Sequence, residues 1–231
     1  MRAPRILCLV LVAACSDSGS DPDASLGDVP VVACAPTGRY LPLRPGATWS
    51  YRVTSAGNPE RTKTQTIGEI EDVGGSKSGV FAFRVTTTKA TGMVVSWQQD
   101  TGSAIVRHRE RDLAGGTQTD EIYVPHHTRI DEDPAQLVVG AMWTESFEEL
   151  VTDLGTTQTI TTPKVDTWRV LGVEDRVVVP AGDFCTLRVE RSTMTSGAPG
   201  SMKTYWFARG IGKIKEQTLT GDTEALVSYT P

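Results

Sequence analysis

The chain has 231 residues, a formal net charge of −5 at pH 7 and four cysteines. Because the chain is acidic and has no strongly basic domain, the charge argues against nucleic acid or anionic lipid as the main partner. A chain of this length can build one sizeable hydrophobic core or two small ones.

Residues 1–14 have the parts of a secretory signal peptide. Arg2 and Arg5 precede an apolar run from Ile6 to Ala14, and small residues stand directly before Cys15. The run is too short to cross a bilayer as a helix. The sequence VAAC at 12–15 resembles the lipobox of bacterial lipoproteins, which implies cleavage before Cys15 and attachment of lipid, such as palmitate, to that residue.

Residues 15–36 are predicted to be the lipidated cysteine and a tether. The stretch from Ser16 to Asp28 has four Asp, no Lys or Arg and no aromatic residue, so it cannot bury enough apolar surface to fold. In lipoproteins an Asp directly after the cysteine favours the inner membrane, whereas this chain has Ser16. The resemblance therefore implies a lipid anchor in the outer membrane of a Gram-negative cell envelope.

Two cysteines, Cys34 and Cys185, remain for the folded body in a compartment where disulfides persist. One alternative is a Cys34–Cys185 bridge. The other is a free, buried thiol, because Cys185 alternates in step with Leu187 and Val189 in FCTLRV, as a core-facing strand residue would.

The body at 37–231 is predicted to be all-β. Short runs rich in Val, Thr, Ile and aromatics alternate with Gly, Pro and Asp, and in TWSYRVT the residues Trp49, Tyr51 and Val53 share one face. We expect antiparallel sheet, curled into a half-barrel or barrel. The sequence TESFEELVTD at 144–153 is the one candidate for a short helix.

Internal repeats indicate a tandem duplication, with units at about 40–125 and 135–230. LRPGATW and LVVGAMW share L-x-x-G-A-x-W, GVFAFRV corresponds to GDFCTLRV, and SWQQDTGSAIVRHRE corresponds to YWFARGIGKIKEQ. Four of the five tryptophans fall at paired positions, either as core anchors or as ligand-facing aromatics: Trp49 with Trp143, and Trp97 with Trp206. The alternative is that similar hairpins reuse similar turn chemistry.

Three of these segments also carry a resemblance to a known group. YLPLRPGATWSY, VVVPAGDFCTLRV and YWFARGIGKIKE together resemble uncharacterised bacterial secreted proteins and lipoproteins with PLxxGxxWxY, VPAGxF and YxxxxGxGxxK signatures. The resemblance covers most of 40–216. It implies a β-rich envelope domain and brings no established catalytic residues.

Two polar stretches are candidates for binding. In YVPHHTRIDEDP, His126, His127 and Asp131 are weak candidates for a metal site, but neighbouring strand residues point to opposite faces, so a solvated connector between the repeats is the favoured interpretation. In RHRERD, the residues Arg107, Arg109 and Arg111 share one face of an extended strand and could bind phosphate or a carboxylated glycan. The alternative is a charged edge strand.

Three functions follow as hypotheses. The first is a non-catalytic interaction protein that binds an envelope protein or glycan, which predicts a filled core. The second is a carrier or sensor of an apolar ligand, which predicts an open apolar pocket lined by the paired tryptophans. The third is a hydrolase or metalloenzyme that depends on His127. The chain has no G-x-S-x-G, H-E-x-x-H or P-loop motif, and we predict neither enzyme activity nor a cofactor.

Overall fold

The computed structural model describes Cys34 and residues 37–231, so the predicted signal peptide, Cys15 and most of the tether lie outside the described residues. Within this part of the chain, twelve antiparallel strands form a closed barrel. Each strand pairs with its neighbours in sequence, and β12 returns to β1. The all-β prediction is confirmed, and the sheet takes the barrel form. No helix among the described residues is long and apolar enough to cross a membrane.

The strands of the barrel are β1 (Thr48–Thr54), β2 (Arg61–Asp72), β3 (Phe81–Lys89), β4 (Gly92–Asp100), β5 (Ala104–Asp112), β6 (Thr119–Asp131), β7 (Met142–Asp153), β8 (Thr159–Val179), β9 (Gly182–Thr195), β10 (Ala198–Ala208), β11 (Gly212–Thr218) and β12 (Thr223–Thr230). Two short 3-10 turns, at Gly75–Lys77 and Pro134–Gln136, lie in the connections.

The helix predicted at 144–153 is wrong, because this segment belongs to β7. It pairs with β8 over its whole length, from Met142 opposite Arg169 to Thr152 opposite Thr159. Phe147 is buried while its neighbours Ser146 and Glu148 are exposed, which is the alternation of a strand. The glutamates of this segment favour a helix locally, but pairing along the full length of β8 overrides that preference.

One end of the barrel is closed by the segment that precedes β1. The buried carboxylate of Glu132 accepts hydrogen bonds from the backbone N–H groups of Tyr40 (2.9 Å) and Leu41 (3.3 Å). Across the barrel, the N–H of Gly210 donates to the carbonyl of Arg39 at 2.7 Å. The side chains of Tyr40 and Leu41 pack into the core beside Trp168. This end is called the closed end below, and the opposite end is called the open end.

The turn between β8 and β9 also folds onto the closed end. The N–H of Ala181 donates to the carbonyl of Leu226 at 3.1 Å, where β12 is no longer paired with β11. Val179 and Phe184 pack there with Trp49 in a second core cluster. Because two separate inserts fill this end with apolar side chains, the hydrophobic core lies at the closed end.

Cys34 and Cys185 form a disulfide bond, the first of the two alternatives left open by the sequence. Cys185 does not face the core as its alternation with Leu187 predicted, because β9 changes its phase between Phe184 and Leu187, both of which are buried in the core. The change coincides with a register shift between β8 and β9. Cys185 is therefore half-buried rather than in the core, and it ties the segment before β1 to the wall.

Candidate functional site: the charged interior of the barrel

A cavity of about 300 Å³ lies inside the barrel above the closed end. Leu41 and Pro42 border it on the closed side, and Lys89, whose side chain is 39 % exposed, borders it near the open end. Its charged lining consists of Lys63, Lys89, Arg107, Arg129, Arg191, Lys203 and Lys213 against Glu110, Glu216 and Glu224. An acidic protein thus encloses a cavity with an excess of positive charge.

His127 lies between two guanidinium groups on the cavity wall. Its Nδ1 is 3.1 Å from Nη2 of Arg107, and its Nε2 is 2.7 Å from Nη1 of Arg191 and 3.1 Å from Oδ2 of Asp166. Burial lowers the pKa of His127 well below its usual value, the hydrogen bond with Asp166 opposes this shift, and repulsion from Arg107 and Arg191 adds to it. A neutral imidazole has one acceptor nitrogen, so it can accept from only one of the two arginines.

Two of the three arginines in this region have carboxylate partners. Arg107 pairs with Glu110, three residues later on β5. Arg191 lies 3.6 Å from Asp166, whose pKa is lowered by His127 and Arg191 even though burial alone would raise it. Both pairs neutralise charge that would otherwise be costly inside a barrel.

Arg129 is the third arginine, and it sits at a β-bulge. Val106 of β5 pairs with Thr128 and Ile105 pairs with Ile130, so Arg129 is an extra residue with no partner on β5. Its side chain borders the cavity. Among the described residues, no carboxylate lies within ion-pair distance of this guanidinium. Bulges of this kind redirect a side chain and occur often beside functional sites.

A second charged cluster lies on the other side of the cavity, around Lys213. Its ammonium contacts Glu216 at 2.6 Å and Glu224 at 2.7 Å. Lys203 joins Glu216 at 2.8 Å, and Lys63 joins Glu224. Burial alone would raise the pKa of Glu224, but Lys213 and Lys63 lower it to about 2. Burial, together with repulsion from Lys213, lowers the pKa of Lys63 to about 8.

The paired tryptophans divide between the two faces of the wall. Trp49 borders the cavity and donates from Nε1 to the carbonyl of Ile211 at 2.6 Å. Trp143 stacks on Trp168, with ring centroids 5.9 Å apart. Trp97 and Trp206 alternate with residues that border the cavity, so they lie on the outer face. They cannot line the cavity together with Trp49, and Trp143 packs against the core instead.

The single-face row predicted for Arg107, Arg109 and Arg111 is wrong. The pairing of β5 shifts register between Arg107 and Arg109, so Arg107 points into the cavity while Arg109 covers the outward-facing ring of Trp97. Arg109 and Arg111 both pair with Asp120. A bulge at His108 therefore divides the row, because the alternation of faces restarts after the extra residue.

The connector predicted for YVPHHTRIDEDP is also wrong, since most of it belongs to β6. His126 and His127 point to opposite faces, and the ring of His126 lies 6.2 Å from that of His108, on the outside. The carboxylate of Asp131 accepts from the N–H of Asp133. The structure therefore does not bring His126, His127 and Asp131 together as metal ligands.

A different group, formed by His127, Glu145 and Asp166, has potential metal-ligand atoms within 4.8 Å of one another. Glu145 already accepts from the N–H and hydroxyl of Thr128 at 3.1 and 2.6 Å. Arg191 lies against the other two members of the group. Because a guanidinium occupies the approach to His127 and Asp166, the arrangement suits an ion-pair network better than a cation.

Neither cavity prediction from the sequence describes this interior. The interaction-protein hypothesis predicted a filled core, and the carrier hypothesis predicted an apolar pocket. The barrel instead is filled at the closed end and hollow above it, with charged and amide groups on the walls. The sequence pattern did not indicate the four cavity residues Lys63, Arg129, Arg191 and Lys213, because a charged residue within a strand ordinarily faces solvent.

Known protein structures with a similar fold exist, although the sequence comparisons find no relative. No protein-family model matches the chain, and no curated protein matches it. A crystal structure from Bacteroides fragilis, described as an exported protein with a YmcC-like fold, covers 84% of this chain and 100% of its own, with a TM-score of 0.52 and 10% identity. The two chains share a fold. This degree of identity carries no activity from one chain to the other.

Two further crystal structures are more distant. A protein from Parabacteroides distasonis described as a lipoprotein has a TM-score of 0.48 and 10% identity over 83% of this chain and 98% of its own. The hypothetical lipoprotein YmcC from Escherichia coli has a TM-score of 0.44 and 11% identity over 81% of this chain and 86% of its own.

Proposed function

We propose that this protein is a lipid-anchored envelope protein that binds a small polar molecule inside its barrel, without catalysis. The observation that carries the proposal is the cavity of about 300 Å³, which is lined largely by charged and amide side chains and filled from below by the closed end. This volume lies at the lower end of the range for small-ligand sites. A polar lining favours a polar ligand over an apolar one, because buried polar groups left unpaired are costly.

The lipobox at 12–15 and the signal-like residues before it support the envelope location, and Ser16 supports the outer membrane. The Bacteroides fragilis protein with the same fold is also described as exported. Labelled palmitate should be incorporated into the full chain and not into Cys15→Ser. Absence of label from the full chain would contradict the lipid anchor.

Native and denaturing mass spectrometry test the binding. The chain carrying Cys15→Ser is secreted and purified from a bacterial periplasm, then measured before and after incubation with envelope extract. We expect a discrete adduct of small-molecule mass that is lost on denaturation.

Two variants on β3 show whether such an adduct lies in the cavity. Thr87 borders the cavity, whereas Thr88 is exposed on the outer face. Thr87→Phe should remove the adduct because the ring occupies the cavity, and Thr88→Phe should retain it. An adduct that survives Thr87→Phe, or a clean apo mass after incubation, would contradict the proposed function.

A further inference from the structure

We infer that Arg107, Arg129 and Arg191 form a site for the anionic group of the ligand, a carboxylate or a phosphate. The inference rests on the proposed function, since it names the class of molecule that the cavity takes. All three side chains border the same cavity. The buried Nε atoms of Arg107 and Arg129 have no hydrogen-bond partner among the described residues, and the Nε of Arg191 has only its 3.6 Å contact with Asp166. Guanidinium groups with free donors are well suited to the oxygens of carboxylate and phosphate.

Arg129 is the central residue of the proposed site, because none of the neighbouring carboxylates among the described residues is free to pair with it. Glu110 pairs with Arg107, and Asp166 contacts His127 and Arg191. Glu145 is held by Thr128. Burial lowers the pKa of Arg129, repulsion from Arg107 and Arg191 adds to this shift, and the more distant Tyr205 and Glu110 oppose it. An unpaired guanidinium inside a barrel is costly, and an anionic ligand would supply the missing charge.

His127 leaves one further donor for the ligand. It separates Arg107 from Arg191, and as a neutral imidazole it can accept from one of them only. The arginine that does not donate to His127 keeps a free N–H group, and this group can donate a hydrogen bond to an anion. A second carboxylate in place of His127 would have satisfied both arginines, so the residue present here preserves the capacity for an external anion.

The rest of the lining indicates that the ligand also carries hydroxyl groups. Gln65, Thr87, Ser96 and Gln98 border the same cavity on the walls formed by β2, β3 and β4. Amides and hydroxyls both donate and accept, so they suit the hydroxyls of a sugar. A small hydroxylated anion, such as a sugar acid or a sugar phosphate, matches both the arginines and this wall.

Thermal unfolding with inorganic phosphate and with acetate tests the site, because these ions are the head groups of the two ligand classes. The protein with Cys15→Ser is compared with versions that also carry Arg129→Gln, Thr87→Phe or Arg52→Gln. Arg52 pairs with Glu60 on the outer surface and serves as the matched arginine control. Ionic strength is held constant with chloride, so that screening does not change between samples.

We expect at least one of the two ions to raise the melting temperature saturably, by at least roughly 3 °C at ~50 mM. Arg52→Gln should respond like the parent protein. Arg129→Gln and Thr87→Phe should lose most of the response. A response to phosphate alone would assign a phosphorylated ligand, and a response to acetate alone would assign a carboxylated one. Arg129→Lys keeps the positive charge but loses the paired N–H donors of the guanidinium, so it should retain a reduced response. This variant replaces Arg129→Gln if Arg129→Gln does not fold.

The outcomes separate the two proposals. If the parent and both Arg129 variants respond equally while Thr87→Phe does not, the cavity binds anions without Arg129, so the inference is wrong and the proposed function stands. If Thr87→Phe also responds equally, the anion binds outside the cavity, and the inference is wrong. If neither ion stabilises the parent protein, the inference is again wrong, and the mass spectrometry above decides the proposed function independently.

Discussion

The two six-strand halves of the barrel use the same turn and then fill the space beside it differently. In the first half, the N–H of Gly46 donates to Ile67 O at 2.8 Å; in the second, the N–H of Gly140 donates to Val170 O at 2.9 Å. The two glycines have φ of 86° and 87°. These equivalent contacts support the duplication, which stays a prediction.

The difference lies two positions before these acceptors, Ile67 and Val170, at Gln65 and Trp168. Trp49 lies opposite Gln65, which borders the cavity, whereas Trp143 lies opposite Trp168, which is almost fully buried in the core. One position thus holds an amide in the first half and an indole in the second. The backbone is alike at both places, and the side chain decides whether the wall is hollow or filled.

The two charged clusters likewise share a local pattern and differ in the side chains around it. Arg107 pairs with Glu110 on β5, and Lys213 pairs with Glu216 on β11, each with the same three-residue separation. Lys213 gains a second carboxylate from Glu224, whereas near Arg107 the strand β6 supplies Arg129 instead. In the cluster around Lys213 every ammonium group contacts a carboxylate, whereas in the one around Arg107 the guanidinium of Arg129 contacts none among the described residues.

The largest expected effect separates the position filled by Trp168 from its equivalent, Gln65, beside the cavity. Trp168→Ala should lower the free energy of unfolding by about 3–5 kcal/mol, because it empties a packed site next to Trp143. Gln65→Ala, at the equivalent position, should cost less than about 1 kcal/mol. Denaturant unfolding measures both. Equal losses would show that the two positions do not differ in packing.

The charged clusters are compared by removing the central cation of each. Lys213→Met leaves Glu216 and Glu224 without their shared partner, and we expect a loss of about 3 kcal/mol in the free energy of unfolding. Arg107→Met should cost about as much, because Glu110 loses its partner. Arg52→Met, on the outer surface, should cost less than about 1 kcal/mol. A small loss for Lys213→Met would mean that its ion pairs contribute little to stability.

The equivalence of the two turns is tested by adding one methyl group to each. Gly46→Ala and Gly140→Ala should each lower the free energy of unfolding by about 1–2 kcal/mol, because an L-residue is strained at positive φ. Gly116 lacks a positive φ and has open space around it, so Gly116→Ala is the control and should change little. Unequal losses at the two turns would contradict their equivalence.

The cluster around Lys213 should also make the stability of the barrel depend on pH. A carboxyl group whose pKa is lower in the folded state stabilises the protein above its unfolded pKa and loses that contribution as the pH falls through its folded pKa. For Glu224 the loss should run from the usual glutamate range down to about pH 2. In Glu224→Gln, the slope of unfolding free energy against pH should fall there by up to ~1.4 kcal/mol per pH unit. An unchanged slope would contradict the lowered pKa.

Much of the fold is predictable from local pattern. The alternation of Trp49, Tyr51 and Val53 places a strand in β1 and assigns its inward face correctly. The disulfide was one of two alternatives because connectivity depends on which chain segments meet. The strand β7 was missed because its glutamates resemble helical sequence, and only the neighbouring strand shows otherwise.

The residues of the candidate site could not be predicted from the sequence, because their orientation also depends on strand pairing. Arg107, Arg109 and Arg111 alternate perfectly in sequence, yet a bulge sends Arg107 inward and leaves the other two outside. Arg129 also lies at a bulge, in a segment whose charge predicted solvent exposure. A bulge depends on how two strands pair, and that pairing leaves no trace in the local pattern of either strand.

The sequence by itself determined the β class and the alternating faces of strands such as β1, because these depend on residues close in the chain. Only the tertiary structure decided that the sheet closes, that the segment at Tyr40 and Leu41 fills one end, and that buried charges face one another across the cavity. These features join residues far apart in sequence, such as Lys63 with Glu224, and their energy exists only after the barrel has formed.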